Sequence, residues 1–258
     1  MEEKMRLIYD EAIDFLDELT EEKLSKEQLK EYFDINKNFQ SKEEILYRLL
    51  ASLQNTQMMP NVIGFEKEER KDRFKTILCD FKCDEILNKY DEETLYEEFK
   101  NKFEINNVES PRNLWRRYTK SIISACNFLN EFENAEKFDE YVNSFRNNEY
   151  ELPMILSNKI YGIGFALCCD FLKELGYSGY AKPDVHIKDI FTALDLCSSD
   201  DDYIVFQAVV KMAKVVNDTP YNVDKIFWLI SSGNFYKHNV NIGRHKDEFI
   251  NRVNALVK

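Results

Sequence analysis

Lys159-Ile-Tyr-Gly-Ile-Gly-Phe-Ala-Leu-Cys-Cys-Asp170 reads as a helix end, a tight turn and a second helix. Gly162 and Gly164 bracket Ile163, and an apolar helical run follows. Without a Cβ at either position, the backbone can turn sharply and aim its N–H groups outward. Those N–H groups stand at the start of a helix, where the macrodipole favours an anion such as a phosphate. A second stretch lies about twenty residues on: Lys182-Pro-Asp-Val-His-Ile187. It sets the Asp184 carboxylate after a proline and before another helical run, which is an N-cap position.

Together the two stretches resemble the helix–hairpin–helix DNA glycosylase superfamily, in which a Gly-x-Gly hairpin precedes a Gly/Pro-rich stretch and a catalytic aspartate. The hairpin matches Ile160 to Phe171, and Pro183-Asp184-Val185-His186 matches the aspartate segment. The resemblance implies an all-α fold in two helical lobes. Residues 45–152 would form the middle lobe. Residues 1–44 and 153–258 would form the second, holding the hairpin (153–175) and the aspartate segment. It also implies a double-stranded DNA partner carrying a damaged or modified base, bound by a monomer with Gly162 and Gly164 at a phosphate. Two other readings stay open: a non-catalytic DNA-binding relative, and a helical protein-interaction module.

Breaking an N-glycosidic bond builds positive charge on the sugar. A carboxylate held near C1′ can stabilise that charge or orient a water to attack it, and Asp184 is the residue that fits this role. His186, two residues on, is either a DNA contact or a structural histidine. Family members that also nick the strand carry a lysine two residues after the second hairpin glycine, where it forms a Schiff base with the sugar. Ala166 stands there, so the expected chemistry is monofunctional hydrolysis. The run Leu49-Leu-Ala-Ser-Leu-Gln-Asn-Thr-Gln57 is similar to the segment with which relatives plug the gap left by a flipped base. Gln54 matches the plugging position, with Asn55 beside it, and such a plug lowers the cost of unstacking. Leu50 stands where the adenine-excising branch has a glutamate. Phe227 and Trp228 are candidates for the base pocket, because relatives place an aromatic from a C-terminal helix there.

No cofactor is expected beyond a monovalent cation at the hairpin. An iron–sulfur cluster in relatives uses four cysteines grouped near the C-terminus, and no cysteine follows Cys197. Cys79 and Cys83 lack a second pair at zinc spacing. Cys168 and Cys169 are expected to pack in the core.

With 258 residues, 44% of them hydrophobic, and with 19 Phe and 14 Tyr, the chain can bury a substantial core. No apolar run approaches the roughly 20 residues of a membrane span. The acidic N-terminus is unlike a secretory signal, and six cysteines without one fit a cytoplasmic protein with reduced thiols. The net charge of −12 runs against phosphate affinity. It resides wholly in residues 1–157, with 23 Lys and Arg against 35 Asp and Glu, while residues 158–258 hold 12 of each. The acidic half reads as a solvated surface.

Helical periodicity predicts one or two helices over 3–33, with an apolar stripe of Leu7, Ile8, Ala12, Ile13, Phe15 and Leu16. The capping box Ser41-Lys-Glu-Glu44 opens a helix that runs on through Ile45, Leu46, Leu49, Leu50 and Leu53 and ends before Pro60. Further helices are expected at 67–80, 92–102, 111–133 with Pro111 in the first turn, and 135–146. Others follow at 185–195, 200–216, 221–231 and 244–256. Trp115-Arg-Arg-Tyr118 can lie on DNA. The commoner arrangement, adopted here, buries the aromatics and leaves the arginines solvated.

Overall fold

The computed structural model describes residues 1–56, 59–105, 110, 112–146 and 148–256. It is an all-α protein, with one short antiparallel ribbon pairing Asn234–Phe235 (β1) with Val240–Asn241 (β2). No described helix is long and apolar enough to cross a membrane. The chain divides into two compact units, a continuous one over Asn38–Leu175 and a split one built from Met1–Lys37 and Gly176–Lys258.

The split unit holds α1 (Glu2–Thr20), α2 (Lys26–Lys30), α12 (Val185–Ala193), α13 (Asp202–Val216), α14 (Pro220–Ser232) and α15 (Lys246–Leu256). α1 buries Met5, Ile8, Tyr9, Ala12, Phe15 and Leu16 against α13, α14 and α15. This stripe is rotated from the expected one: Leu7 and Ile13 are exposed, and Met5 and Tyr9 take their places. The i, i+3/i+4 spacing fits both stripes, so the neighbouring helices decide between them. Phe227 of α14 sits between Phe191 and Phe249, with ring centroids 5.4 and 5.8 Å away. α14, expected over 221–231, starts at Pro220, with the Thr219 hydroxyl accepting from the Asn222 N–H.

The continuous unit holds α3 (Lys42–Gln54), α4 (Met59–Val62), α5 (Glu68–Ile77), α6 (Cys83–Lys89), α7 (Glu92–Phe103), α8 (Leu114–Leu129), α9 (Ala135–Asn143), α10 (Glu151–Lys159) and α11 (Phe165–Glu174). α3 is its centre and packs against α6, α8 and α11. Ser41 and Glu44 form the expected capping box. The helix runs through Leu53 to Gln54, with Asn55 as its C-cap, and so ends before Pro60 as expected.

The helix expected over 67–80 ends early, at Ile77. After Ile77 the chain makes a left-handed turn at Cys79, Asp80 and Phe81, with φ of 50°, 53° and 65°. Such a backbone costs about 1–2 kcal/mol per residue for L-amino acids. Packing of the Phe81 ring against Tyr47 and Phe65 offsets that cost. The turn separates α5 from α6, a helix the sequence pattern does not announce. α8 starts at Leu114, capped by Asn113; Pro111, expected in its first turn, lies outside the described residues, as does Gln57.

The structure draws the unit boundary differently from the sequence: 153–175 belongs with the middle helices. The reason is local. α11 buries Cys168, Cys169, Phe171 and Leu172. Inside this unit the Ser52 hydroxyl of α3 donates to the Asp170 carboxylate of α11, 3.1 Å away.

Within the split unit, Gly176 has φ of +97°, and a Cβ there would stand 2.2 Å from the Asn36 carbonyl oxygen. The obstacle is main chain, which cannot swing aside. Gly176→Ala is therefore expected to destabilise the protein by about 2 kcal/mol or more, from left-handed strain plus overpacking. A urea melt against wild type measures this; an unchanged midpoint would refute it.

Candidate functional site

A helix, a tight turn and a second helix form where the sequence predicts them. α10 ends at Lys159, Gly162 turns with φ of +86°, and Gly164 is the N-cap of α11. The two glycines do different jobs. Gly162 needs its left-handed backbone, and a Cβ there would lie 2.3 Å from the Ser121 hydroxyl oxygen. Gly164 has an ordinary φ of −99°, and nothing lies within 4 Å of where its Cβ would be. Gly164 offers no side chain to cap α11. The space where a Gly164 side chain would stand, just before a ten-residue helix, is open, and a helix start is a setting that favours an anion. The turn is braced from α8, where the Ser124 hydroxyl accepts from the Tyr161 N–H at 2.9 Å. A monovalent cation at this turn would rest on main-chain carbonyls, since Ile160 to Gly164 includes no carboxylate.

Asp184 caps α12 as expected. Its Oδ1 accepts from the N–H groups of His186 (2.9 Å) and Ile187 (3.3 Å). Oδ2 accepts no hydrogen bond among the described residues. One oxygen is thus tied to the helix start and fixes the carboxylate, and the other is left for a ligand. Burial raises the pKa of Asp184, and the Asp224 carboxylate raises it further. Lys182, His186 and the Ile187 N–H pull the other way. Asp224 is itself buried and accepts from the Lys182 N–H at 3.0 Å, which ties the segment before Asp184 to α14.

His186 is a half-buried, tethered residue. Its Nδ1 lies 2.7 Å from the Ser231 hydroxyl, and its ring meets Trp228 edge to face at 6.5 Å. Of its two sequence readings, these contacts match the structural histidine. Trp228 is half-buried beside it and also packs against Tyr236, with centroids 6.1 Å apart. The Lys225 ammonium lies 5.3–5.5 Å from the ring centres of Tyr221, Trp228 and Tyr236. Asp224 and Lys225 escaped sequence reading. Two adjacent charges in an amphipathic helix ordinarily face water, and only the distance of Asp224 from the Lys182 amide reveals their setting.

Two expectations fail on geometry. Gln54 is turned inward: its Oε1 accepts from the Phe65 N–H (2.8 Å) and its Nε2 donates to Glu66 (3.1 Å). Both ends of the amide serve the fold, because a buried helix end needs its neighbouring backbone satisfied. Asn55 beside it is exposed. Phe227 is fully buried in the core of the split unit, so of the two pocket candidates only Trp228 lies against the His186 ring. Trp115 and Tyr118 point inward, as the sequence suggests: Trp115 stacks with Phe103, and the Tyr118 hydroxyl donates to the Leu50 carbonyl. Cys168 and Cys169 are buried, and all six cysteines are free thiols.

The glycine geometry makes a paired prediction. Gly164→Ala should leave thermal stability nearly unchanged and weaken duplex DNA binding several-fold, because its methyl enters the space before the α11 amides. Gly162→Ala should cost about 1–2 kcal/mol of stability. Melting curves and fluorescence anisotropy on the same preparations check both; equal stability losses for the two would refute the assignment.

No family model matches the chain, and no curated protein does. Two solved structures are similar to it. One is the crystal structure of Methanocaldococcus jannaschii 8-oxoguanine glycosylase/lyase in complex with DNA containing 8-oxoguanine. It is 19% identical, with 86% of this chain and 91% of that chain covered and a TM-score of 0.49. The other is the crystal structure of M. jannaschii 8-oxoguanine DNA glycosylase, 20% identical over 90% of this chain and 93% of that one, again with a TM-score of 0.49.

Proposed function

We propose that the chain is a monofunctional DNA glycosylase that flips a damaged or modified base from duplex DNA and hydrolyses its N-glycosidic bond. The observation that carries the reading is the Asp184 carboxylate, with Oδ1 held by two helix-start amides and Oδ2 without a protein partner. The open start of α11 supports it by supplying an anion cradle for a backbone phosphate.

In this reaction the C1′–N bond breaks and its electron pair leaves with the base, which takes up a proton. The sugar passes through an oxocarbenium-like state whose positive charge the Asp184 carboxylate stabilises. A water oriented by Oδ2 adds to C1′ and gives its proton to the carboxylate. A raised pKa suits this step, because it makes Asp184 a better proton acceptor than an ordinary aspartate. Ala166 supplies no amine, so water is the nucleophile. Trp228, which meets the His186 ring edge to face, is the aromatic available to stack on a flipped base.

The test is excision. Duplexes carrying oxidised, deaminated or alkylated bases are incubated with the protein, and hot alkali then reveals abasic sites as strand breaks. Wild type should yield breaks on at least one substrate, and Asp184→Asn should lower the rate by at least about a hundredfold. Breaks that survive in Asp184→Asn, or none on any substrate, would remove the reading. Borohydride should trap no covalent complex; a trapped one would overturn monofunctional hydrolysis.

The pH dependence has a defined sign. Activity requires ionised Asp184, so it should fall on the acid side through the raised pKa, at a higher pH than an ordinary carboxylate near 3.9 would give. Stability runs the other way. A carboxyl whose folded pKa is raised binds its proton more tightly in the folded state, so its contribution is fullest at low pH and declines as pH rises through the window above the unfolded value. Asn keeps the N-cap and carries no charge. Asp184→Asn should therefore melt at or above the wild-type temperature at pH 7, with the advantage shrinking towards pH 4. A variant less stable than wild type at pH 7 would contradict this.

A further inference from the structure

Residues 110–130 carry Arg112, Arg116, Arg117 and Lys120 and no carboxylate, inside a continuous unit that has 25 Asp and Glu against 19 Lys and Arg. The fold gathers these four cations into one groove of about 490 Å³ at the start of α8. Tyr161, the residue before the hairpin glycine, closes the groove at one side and is exposed. The Lys120 ammonium lies 4.4 Å from the Tyr161 ring centre. Two carboxylates share the groove, Glu92 and Glu93. Glu93 is taken up by Arg116 at 2.8 Å, and the Arg116 guanidinium also stacks 4.0 Å over Tyr96. Among the described residues, Arg112, Arg117 and Lys120 pair with no carboxylate.

We infer that this groove is a second phosphodiester-binding site, which takes the DNA backbone beyond the phosphate held at the hairpin. The proposal rests on the DNA reading above and adds a place for the affinity that an acidic protein otherwise lacks. Three features select a phosphodiester chain. The uncompensated cations stand together and match the charge of successive phosphates. Arginine, which provides two of the three, suits phosphate because its planar fork can give two hydrogen bonds at once. Tyr161 belongs at once to this groove and to the hairpin turn, so one strand can run from one to the other without leaving the continuous unit. A surface without a ligand would more commonly pair such cations with its many carboxylates, as Arg116 is paired.

The test compares full-length wild type with the triple variant Arg112→Ala, Arg117→Ala and Lys120→Ala. Each binds a fluorescein-labelled 20-base-pair undamaged duplex across 50–200 mM KCl. Each lost phosphate contact should flatten the plot of log affinity against log salt by about 0.9. The triple variant should therefore lose roughly two to three units of slope, and bind roughly tenfold or more weakly at 100 mM. Arg112→Lys with Arg117→Lys should restore most of the slope, which separates lost charge from lost folding, and melting curves should match throughout. An unchanged slope in the triple variant overturns the groove, as does a wild type whose duplex binding ignores salt. So does a loss seen only on single-stranded RNA of the same length. Binding with the expected slopes but no excision on any damaged duplex overturns base excision alone and leaves the groove standing.

Discussion

One carboxylate oxygen, Asp184 Oδ1, holds the candidate chemistry in place. It accepts the two main-chain N–H groups that open α12. Helix-start amides carry partial positive charge and ordinarily depress the pKa of a capping aspartate. Here burial and the Asp224 carboxylate outweigh them, so the capping residue ends with a raised pKa. The fold therefore fixes the carboxylate through one oxygen and raises its basicity through its surroundings. Both effects come from the chain near Asp184 and from α14, which brings Asp224 to the Lys182 amide. Asp224 thus serves twice, raising the basicity of Asp184 and holding the Lys182 amide beside it.

The hairpin shows the same economy in a different form. Glycine at 162 is demanded by the backbone, whereas glycine at 164 is demanded by nothing inside the protein. A residue that could carry a side chain without strain, yet faces open space in front of a helix start, leaves room for something outside the chain. A Cβ absent for a ligand and a Cβ absent for a turn look identical in a sequence and separate only in three dimensions.

Much of the fold is legible in the sequence, and the failures have local causes. The Ser41 and Glu44 capping box, the Thr219-Pro220 start and the Asp184 cap are written in short patterns whose partners are three residues away or fewer. The break between α5 and α6 is not written, because no glycine or proline marks it. Three non-glycine residues take left-handed conformations there, and what holds them is the packing of Phe81 on rings far along the chain. Gln54 misled for the opposite reason. An amide at a helix end looks available in a sequence, and the Phe65 N–H that claims it lies eleven residues on, across a loop. Phe227 and Trp228, adjacent in sequence, face different environments because one residue turns a helix by about 100°. The sequence nominates both, and packing separates the buried Phe227 from the half-buried Trp228.

The charge count is where local geometry matters most. A net charge of −12 argues against a DNA-binding protein if charge is averaged over the surface. Affinity for a polyanion depends instead on how many phosphates meet a cation at close range, since exposed charges farther away than about 10 Å are largely screened at 0.1 M salt. The carboxylates of α7 and α9 are paired with neighbouring cations in several places: Glu93 with Arg116, Glu97 with Lys100, Glu140 with Lys137. Such pairs are nearly neutral beyond their own surroundings. What remains to act on a strand is the unpaired set, and Arg112, Arg117 and Lys120 place that set on the hairpin side of α8. An acidic chain can thus keep solubility from its carboxylates and still concentrate positive charge where a backbone would pass. Because so few contacts would supply the grip, each one carries a larger fraction of the salt dependence than it would in a broadly basic protein.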